Sequence, residues 1–426
     1  MCVKNFHLYK AKKLLNSTLD IIFNILSNFF SKKQITEFEE LLKKSSGKEK
    51  SPQSYFPTSD KEQLNSDAGQ KSIFKANIEL LITFASEKLD SIKFIELLLY
   101  LGETCISRGE LDTASQIFER TLASVEEFPS LENIAAYSML ALGEVFSRQA
   151  QWEKSISNIN LAKKLFNKHK DLRGIAKCNN LLGTIYGDRG NFKKARSSFE
   201  NSLTFLNPRT DAALIGMVEM NLGILSNMQG KHDEALFFYQ RAIIKYDKLK
   251  DMRRISQLRH NLGMLHAQKG EYEEALKEFD GSIAIAMKAD YLPDLALSYL
   301  SKAFVYSQLD DFPLAIAFAD KSMDICYKIN DRLSIADLYK VKGIVERKLK
   351  HYDMAENYFM TSLRINSELG NPLNQAETLF ELGILYIEVK MKQKAVKQLK
   401  SALSLFKKME TSFMVNKINK LLATLD

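Results

Sequence analysis

The stretch "GTIYGDRGNFKKARSSFENSL", residues 183–203, sets Gly183 and Gly190 seven residues apart and follows them with Ala195, Phe199 and Ser202 at helical spacing. It is either a glycine loop that cradles phosphate or the punctuation of a repeated unit. Forty residues on from Gly183 stand Gly223, Gly263, Ala303, Gly343 and Gly383 in turn; forty before it stands Gly143 and, one residue further again, Gly102. Twelve residues after each of these comes a small side chain: Ala114, Ser155, Ala195, Ala235, Ala275, Ala315, Ala355 and Ala395. Four further on are Phe118, Ile159, Phe199, Tyr239, Phe279, Ala319, Phe359 and Leu399. Three beyond those are Thr121, Ala162, Ser202, Ala242, Ser282, Ser322, Ser362 and Ala402. A fixed period of this length marks a stacked array of like units.

The unit itself reads as a helix, a tight turn and a second helix. In "NLGILSNMQGKHDEALFFYQRAI", residues 221–243, Leu222 and Leu225 share a helical face, and Gly230 ends the first helix where a left-handed residue costs least. Ala235 and Ala242 are small enough for two helices to approach, Tyr239 fills the space between units, and Gly223 is a packing glycine rather than a loop glycine. Composition agrees. The 426 residues are 45% apolar and 26% charged with only seven prolines, and the long runs of Ala, Leu, Lys, Glu and Ile lack strand-like alternation. The expected fold is all-α.

These residues carry a family resemblance. "LGETCISRGELDTASQIFERTL", "LGTIYGDRGNFKKARSSFENSL", "LGMLHAQKGEYEEALKEFDGSI" and "LGILYIEVKMKQKAVKQLKSAL" resemble the tetratricopeptide repeat in its forty-residue form, similar to kinesin light chains and Leu-Gly-Asn repeat adaptors. The resemblance covers residues 92–426 and implies a right-handed α-solenoid of about eight helix pairs. The pattern is broken where Ala303 replaces the glycine, Lys302 and Lys342 replace the leucine before it, and Asp310, Lys350 and Lys390 replace the turn glycine. Repeats five and six are therefore expected to pack less ideally on that face.

The expected organisation is an amphipathic helical segment over 1–42, a flexible linker over 43–71, a capping helix over 72–91, eight repeats over 92–407 and a C-terminal capping helix over 408–426. The linker is rich in Ser, Lys, Gln and Pro. Within the first segment, Leu19, Ile22, Phe23, Leu26, Phe29 and Phe30 recur at three and four, predicting a helix over 14–31. That helix either packs on the repeats or a second chain, or docks on a membrane surface, since lysines flank it.

No stretch is long and apolar enough for a transmembrane span, and Asp20, Asn24 and Asn28 interrupt any signal-peptide core. Cys2, Cys105, Cys178 and Cys326 form no CxxC pair, which points to reduced thiols and a cytoplasmic protein. The net charge of +8 is concentrated at the start: residues 1–75 hold thirteen lysines against eight acids, and the rest is nearly balanced. Nucleic acid is therefore not a favoured partner.

No Walker motif or strand-bounded GxGxxG occurs, and His260 and His266 stand on different sides of their helix, so neither nucleotide, cofactor nor metal is expected. No catalytic constellation is present, and the chain is read as a non-enzyme. Function is then sought on the concave wall made by first helices, as an extended groove that takes a peptide or flexible segment of another protein. Counting from each reference glycine, the inward offsets select Lys177, Asn180, Asp188, Asn221, Asn227, Gln257, His260, Asn261 and Gln268. The resemblance implies that an asparagine two before the glycine, as at Asn221 and Asn261, holds a peptide backbone or carboxylate. An amide offers a donor and an acceptor together, which suits an extended main chain. Two other readings stay open: a regulator whose superhelix responds to a ligand, and a membrane-surface adaptor. The sequence does not fix the oligomeric state.

Overall fold

The computed structural model describes residues 25–46, 60–289 and 291–425, and every regular element among them is helical. The chain forms two units: the residues before Cys105 with Asp112–Phe128, and Cys105–Leu111 with Pro129–Asp426.

In the first unit, helices Lys32–Ser46 and Asp60–Lys88 pack with the first repeat pair, Ser91–Arg108 and Leu111–Val125. The helix that leads into this pair begins at Asp60, so its first turns lie within the stretch read as linker. Of the predicted helix over 14–31, residues 14–24 lie outside the described residues. Residues 25–29 are helical, and Ile25, Leu26 and Phe30 are buried, with the Phe30 ring 5.4 Å from that of Phe84. The described part of that apolar face is thus already covered by protein.

The second unit is the repeat array. Its helix pairs are Glu132–Arg148 with Trp152–Lys168, Leu172–Asp188 with Phe192–Thr204, Ala212–Met228 with His232–Leu249, Met252–Lys269 with Tyr272–Ala289, Leu292–Gln308 with Phe312–Ile329, Arg332–Lys348 with Tyr352–Glu368, and Pro372–Glu388 with Lys392–Lys408. These are repeats two to eight; helix Ser412–Ala423 follows and buries Ile418. Each pair is a tetratricopeptide-like hairpin, and the pairs stack into an α-solenoid.

The packing glycines behave as the period requires. A Cβ on Gly183 would stand 2.5 Å from the Phe199 ring, on Gly223 2.5 Å from Tyr239, and on Gly263 2.5 Å from Phe279. The residue sixteen positions later therefore lies flat on the bare backbone of the first helix. Where Ala303 takes the glycine's place, Ala319 takes the aromatic's, and both are buried. The added methyl is accommodated by removal of the ring it would strike. Lys302 is buried as well: its ammonium is 2.6 Å from Asp280 and 4.6 Å from the centre of the Phe318 ring. Its stem follows the apolar surface while its charge is paired, so the face is filled rather than left open.

Local chemistry starts and stops the helices. Side chains of Asp171, Asn191, Asp251, Asp311, Asp331 and Asn371 each accept a hydrogen bond from a backbone N–H three residues on. The turn between the paired helices holds one left-handed residue: Gly190, Gly230 and Gly270, but also Asp310 (φ 60°), Lys350 (φ 66°) and Lys390 (φ 60°). Those three non-glycine turns cost roughly 1–2 kcal/mol each.

The array also returns on itself. The single tryptophan, Trp152, donates its indole N–H to the Leu369 carbonyl at 2.8 Å and lies against Gly370. Gly109 faces Ile329 and Pro293, Gly190 faces Met409 and Pro372, and Gly230 faces Phe413. Turns of the early repeats thus rest against the ends of repeats that follow about five units later, forming a seam between successive windings. One core cluster spans it, joining Phe192 and Phe199 to Leu399, Phe406 and Met409.

Candidate functional site

Each first helix from repeat two onward touches the first helix of the next repeat, so first helices occupy the inner side of the curve. The polar residues that the sequence singled out all lie on first helices of repeats three to five.

The expected set divides by what each side chain already does. Asn180 is buried, and its Oδ1 accepts a hydrogen bond from Asn221 Nδ2 at 2.9 Å, linking repeats three and four. Asn261 occupies the same register one repeat later; it is half-buried, and among the described residues nothing is hydrogen-bonded to its amide. Asn227 is buried with Oδ1 3.2 Å from His232 Nδ1, so it braces its own turn. Gln257 accepts from Arg254 Nη1 at 2.8 Å and donates to Asp294 Oδ1 at 3.2 Å. Lys177 lies over the Tyr137 ring at 4.8 Å, and Gln268 is exposed. Asp188 is half-buried, and loss of water alone pushes its carboxyl up to about 7.

His260 is a packed histidine. Its ring lies 5.6 Å from that of Phe279, its Nδ1 is 3.5 Å from Ser298 Oγ, and burial pushes its pKa down to about 4. The unfolded chain binds a proton near pH 6.5 while the folded one stays neutral to about 4, so this residue withdraws stability as pH falls through that window. The variant His260→Gln is expected to lose less melting temperature than the parent over the same interval, as thermal unfolding across it would show.

Several groups outside the polar selection lie on the same helices, and two of them, Met217 and Met228, stand at the inward offsets themselves. Met217, Ile224, Met228, Met264 and Phe304 are half-buried on the first helices of repeats four to six, two of which also carry Asn221 and Asn261. Their signal was present, since Ile224, Met264 and Phe304 each follow the reference position by one residue. Arg253 and Asp294 are harder to read, because they lie in the first turn of their helices. Burial raises the Asp294 carboxyl, opposed by the Gln257 hydrogen bond and by Arg253, Arg148 and Arg254. The arginine from repeat two therefore shares a field with groups of repeats five and six. Further along, Lys340 pairs with Asp337 at 3.0 Å and with Glu377, and Arg347 pairs with Glu381 at 3.0 Å and with Glu388. The wall is apolar and amide-lined in the middle, with paired charges beyond it.

Burial pushes the thiols of Cys105, Cys178 and Cys326 up to about 12, which suppresses the reactive thiolate. Among the described residues no cluster of His, Cys, Asp or Glu could hold a metal ion, and no helix is long and apolar enough to cross a membrane.

Residues 254–328 and 334–408 match the tetratricopeptide repeat family. The matched residues belong to repeats five to eight. No curated relative matches the sequence. Among solved structures, a Rap protein complexed with competence and sporulation factor is similar at a TM-score of 0.61 and 14% identity, over 82% of this chain and 97% of that one. The Rap conjugation gene regulator of plasmid pLS20, in complex with the Phr* peptide, is similar at 0.56 and 16%, over 84% and 95%. Cut9, in a hetero-tetramer of Cut9 and Hcn1, is similar at 0.54 and 19%, over 80% of this chain and 59% of that one. At these identities the likeness is one of fold.

Proposed function

We propose that this chain is a non-enzymatic scaffold or adaptor that captures a peptide, or a flexible segment of another protein, on the inner wall of repeats three to six. The observation that carries this reading is the Asn261 amide, half-buried and without a hydrogen-bond partner among the described residues, in the register of Asn221, on helices that also present half-buried apolar side chains. An unengaged amide there offers one donor and one acceptor to a passing main chain, and half-buried methionines adapt to side chains of differing shape. The similarity in fold to a regulator solved in complex with the Phr* peptide supports a peptide as the occupant.

The test is retention of a displayed library of random linear peptides by the full chain. The variants Asn261→Ala and Asn221→Ala/Asn261→Ala are expected to lower the affinity of retained peptides roughly 10- to 100-fold, the equivalent of about 1–3 kcal/mol. Helicity is expected to stay unchanged, because among the described residues Asn261 makes no hydrogen bond; the double variant also removes the bond to Asn180. Equal retention by parent and variants would overturn the reading.

A further inference from the structure

Arg253 is a guanidinium without an anion. It stands half-buried in the first turn of helix Met252–Lys269. Among the described residues no carboxylate pairs with it, and nothing accepts a hydrogen bond from its buried Nε. Its guanidinium carbon lies 5.4 Å from the centre of the Tyr291 ring, a contact that holds the group without neutralising it. A charge taken out of water in this way is costly unless something pairs with it.

The neighbouring charges are committed elsewhere. Arg254 Nη1 donates to Gln257 Oε1 at 2.8 Å, and Gln257 Nε2 donates to Asp294 Oδ1 at 3.2 Å, which ties together the first helices of repeats five and six. Asp294 Oδ2 is buried and makes no hydrogen bond among the described residues, so Asp294 and Arg253 do not meet as an ion pair. From repeat two, Arg148 pairs with Glu144 at 2.6 Å and donates to the Ile106 carbonyl at 3.3 Å. Gly109, in the turn that follows Ile106, faces Pro293 beside Asp294, which brings Arg148 to the same place. Burial above all, then Arg148 and Arg254, hold the pKa of Arg253 below the usual guanidinium value; Asp294 and Glu144 offset this only in part. Three guanidinium groups thus face two carboxylates, and the surplus positive charge falls to the arginine that has no partner. Water reaches the cluster, since the side chains of Arg148 and Glu144 keep 33% and 41% of their surface.

We propose that Arg253, backed by Arg148 and Arg254, is an oxyanion-binding site that takes a carboxylate or phosphate group. The planar fork of guanidinium donors matches two oxygens of either group, and such charge-assisted pairs are among the stronger hydrogen bonds. Glu144 and Asp294 limit the charge that the site accepts, because the surplus is a single positive charge. The site does not depend on capture of a peptide at Asn261, and it is tested with small anions alone.

The experiment is thermal unfolding of the full chain at pH 7 in rising succinate or inorganic phosphate, with chloride making up equal ionic strength. An anion that binds only the folded state raises the melting temperature along a saturating curve. The parent is expected to show that curve. Arg253→Met keeps an unbranched stem against Tyr291 without the charge, and its apparent affinity is expected to be roughly tenfold weaker or lost. Arg253→Lys keeps the charge but not the fork and is expected to fall between the two. Without added anion, Arg253→Met is expected to melt no lower than the parent, because it relieves the repulsion from Arg148 and Arg254. Half-saturation at a lower concentration of succinate assigns the site to a carboxylate; at a lower concentration of phosphate, to a phosphoryl group. An unsaturated rise common to the parent and both variants is a general salt effect and overturns the proposal. So does an Arg253→Met variant that melts below the parent yet responds to the anions as the parent does, since Arg253 is then a structural group. Peptide retention by Asn261→Ala is read separately, so failure of the groove and failure of this site are distinguishable.

Discussion

Replacing Phe279 by alanine is expected to destabilise the repeat array by about 3–5 kcal/mol, the usual loss for a fully buried aromatic. Phe279 has no exposed surface, and its ring lies on the helix backbone at Gly263, which has no side chain of its own to enter the void. His260, packed on the same ring, loses its neighbour too. At roughly 2–4 °C per kcal/mol the melting temperature should fall by about 6–20 °C, measurable by circular dichroism or calorimetry. The chain also suggests the remedy. Repeat six uses Ala303 and Ala319 at the equivalent pair, so adding Gly263→Ala to Phe279→Ala should recover part of the loss by restoring contact and helix propensity together. A second substitution that worsened the first would mean that the alanine pair depends on features peculiar to repeat six.

The second large effect acts at a distance. Met409 is 3% exposed, packs against Gly190 and belongs to the core cluster that includes Phe192 and Phe199. Met409→Asp removes that side chain and leaves a carboxylate without a partner in an apolar site; truncation alone costs about 2–5 kcal/mol, and the buried charge adds to it. In an open array with only nearest-neighbour coupling, the damage would stay near repeat eight. Here it should also reach repeat three. Hydrogen exchange is expected to show faster exchange over residues 186–199 as well as over 395–426. Loss of protection confined to the C-terminal repeats would show that the windings are not energetically coupled.

The fold was legible because its determinants are local and repeated. Gly183 with Phe199, Gly223 with Tyr239 and Gly263 with Phe279 lie within one hairpin, and a separation of sixteen residues repeated every forty leaves a visible trace. Even the exceptions were readable in principle, since Ala303 and Ala319 depart from the pattern together. The expectation of poorer packing around Lys302 did not allow for a long side chain that buries its stem and pairs its end with Asp280.

The groove was legible only in part. Register assigned Asn180, Asn221 and Asn261 to one wall as an expectation, and the first two meet directly. Register could not show that Asn227 is occupied by His232, that Gln257 is held between Arg254 and Asp294, or that His260 is packed on Phe279. Which amide is free depends on what neighbouring helices present to it, and that is a matter of side-chain geometry rather than spacing.

By itself, the sequence determined the hairpin and its period, because those follow from contacts between residues close in the chain. The tertiary structure alone decided that Trp152 meets Leu369 and Gly190 meets Met409. Such pairings depend on the small rotation between one hairpin and the next, summed over about five repeats. No single repeat encodes that sum, so the seam leaves no periodic mark in the sequence.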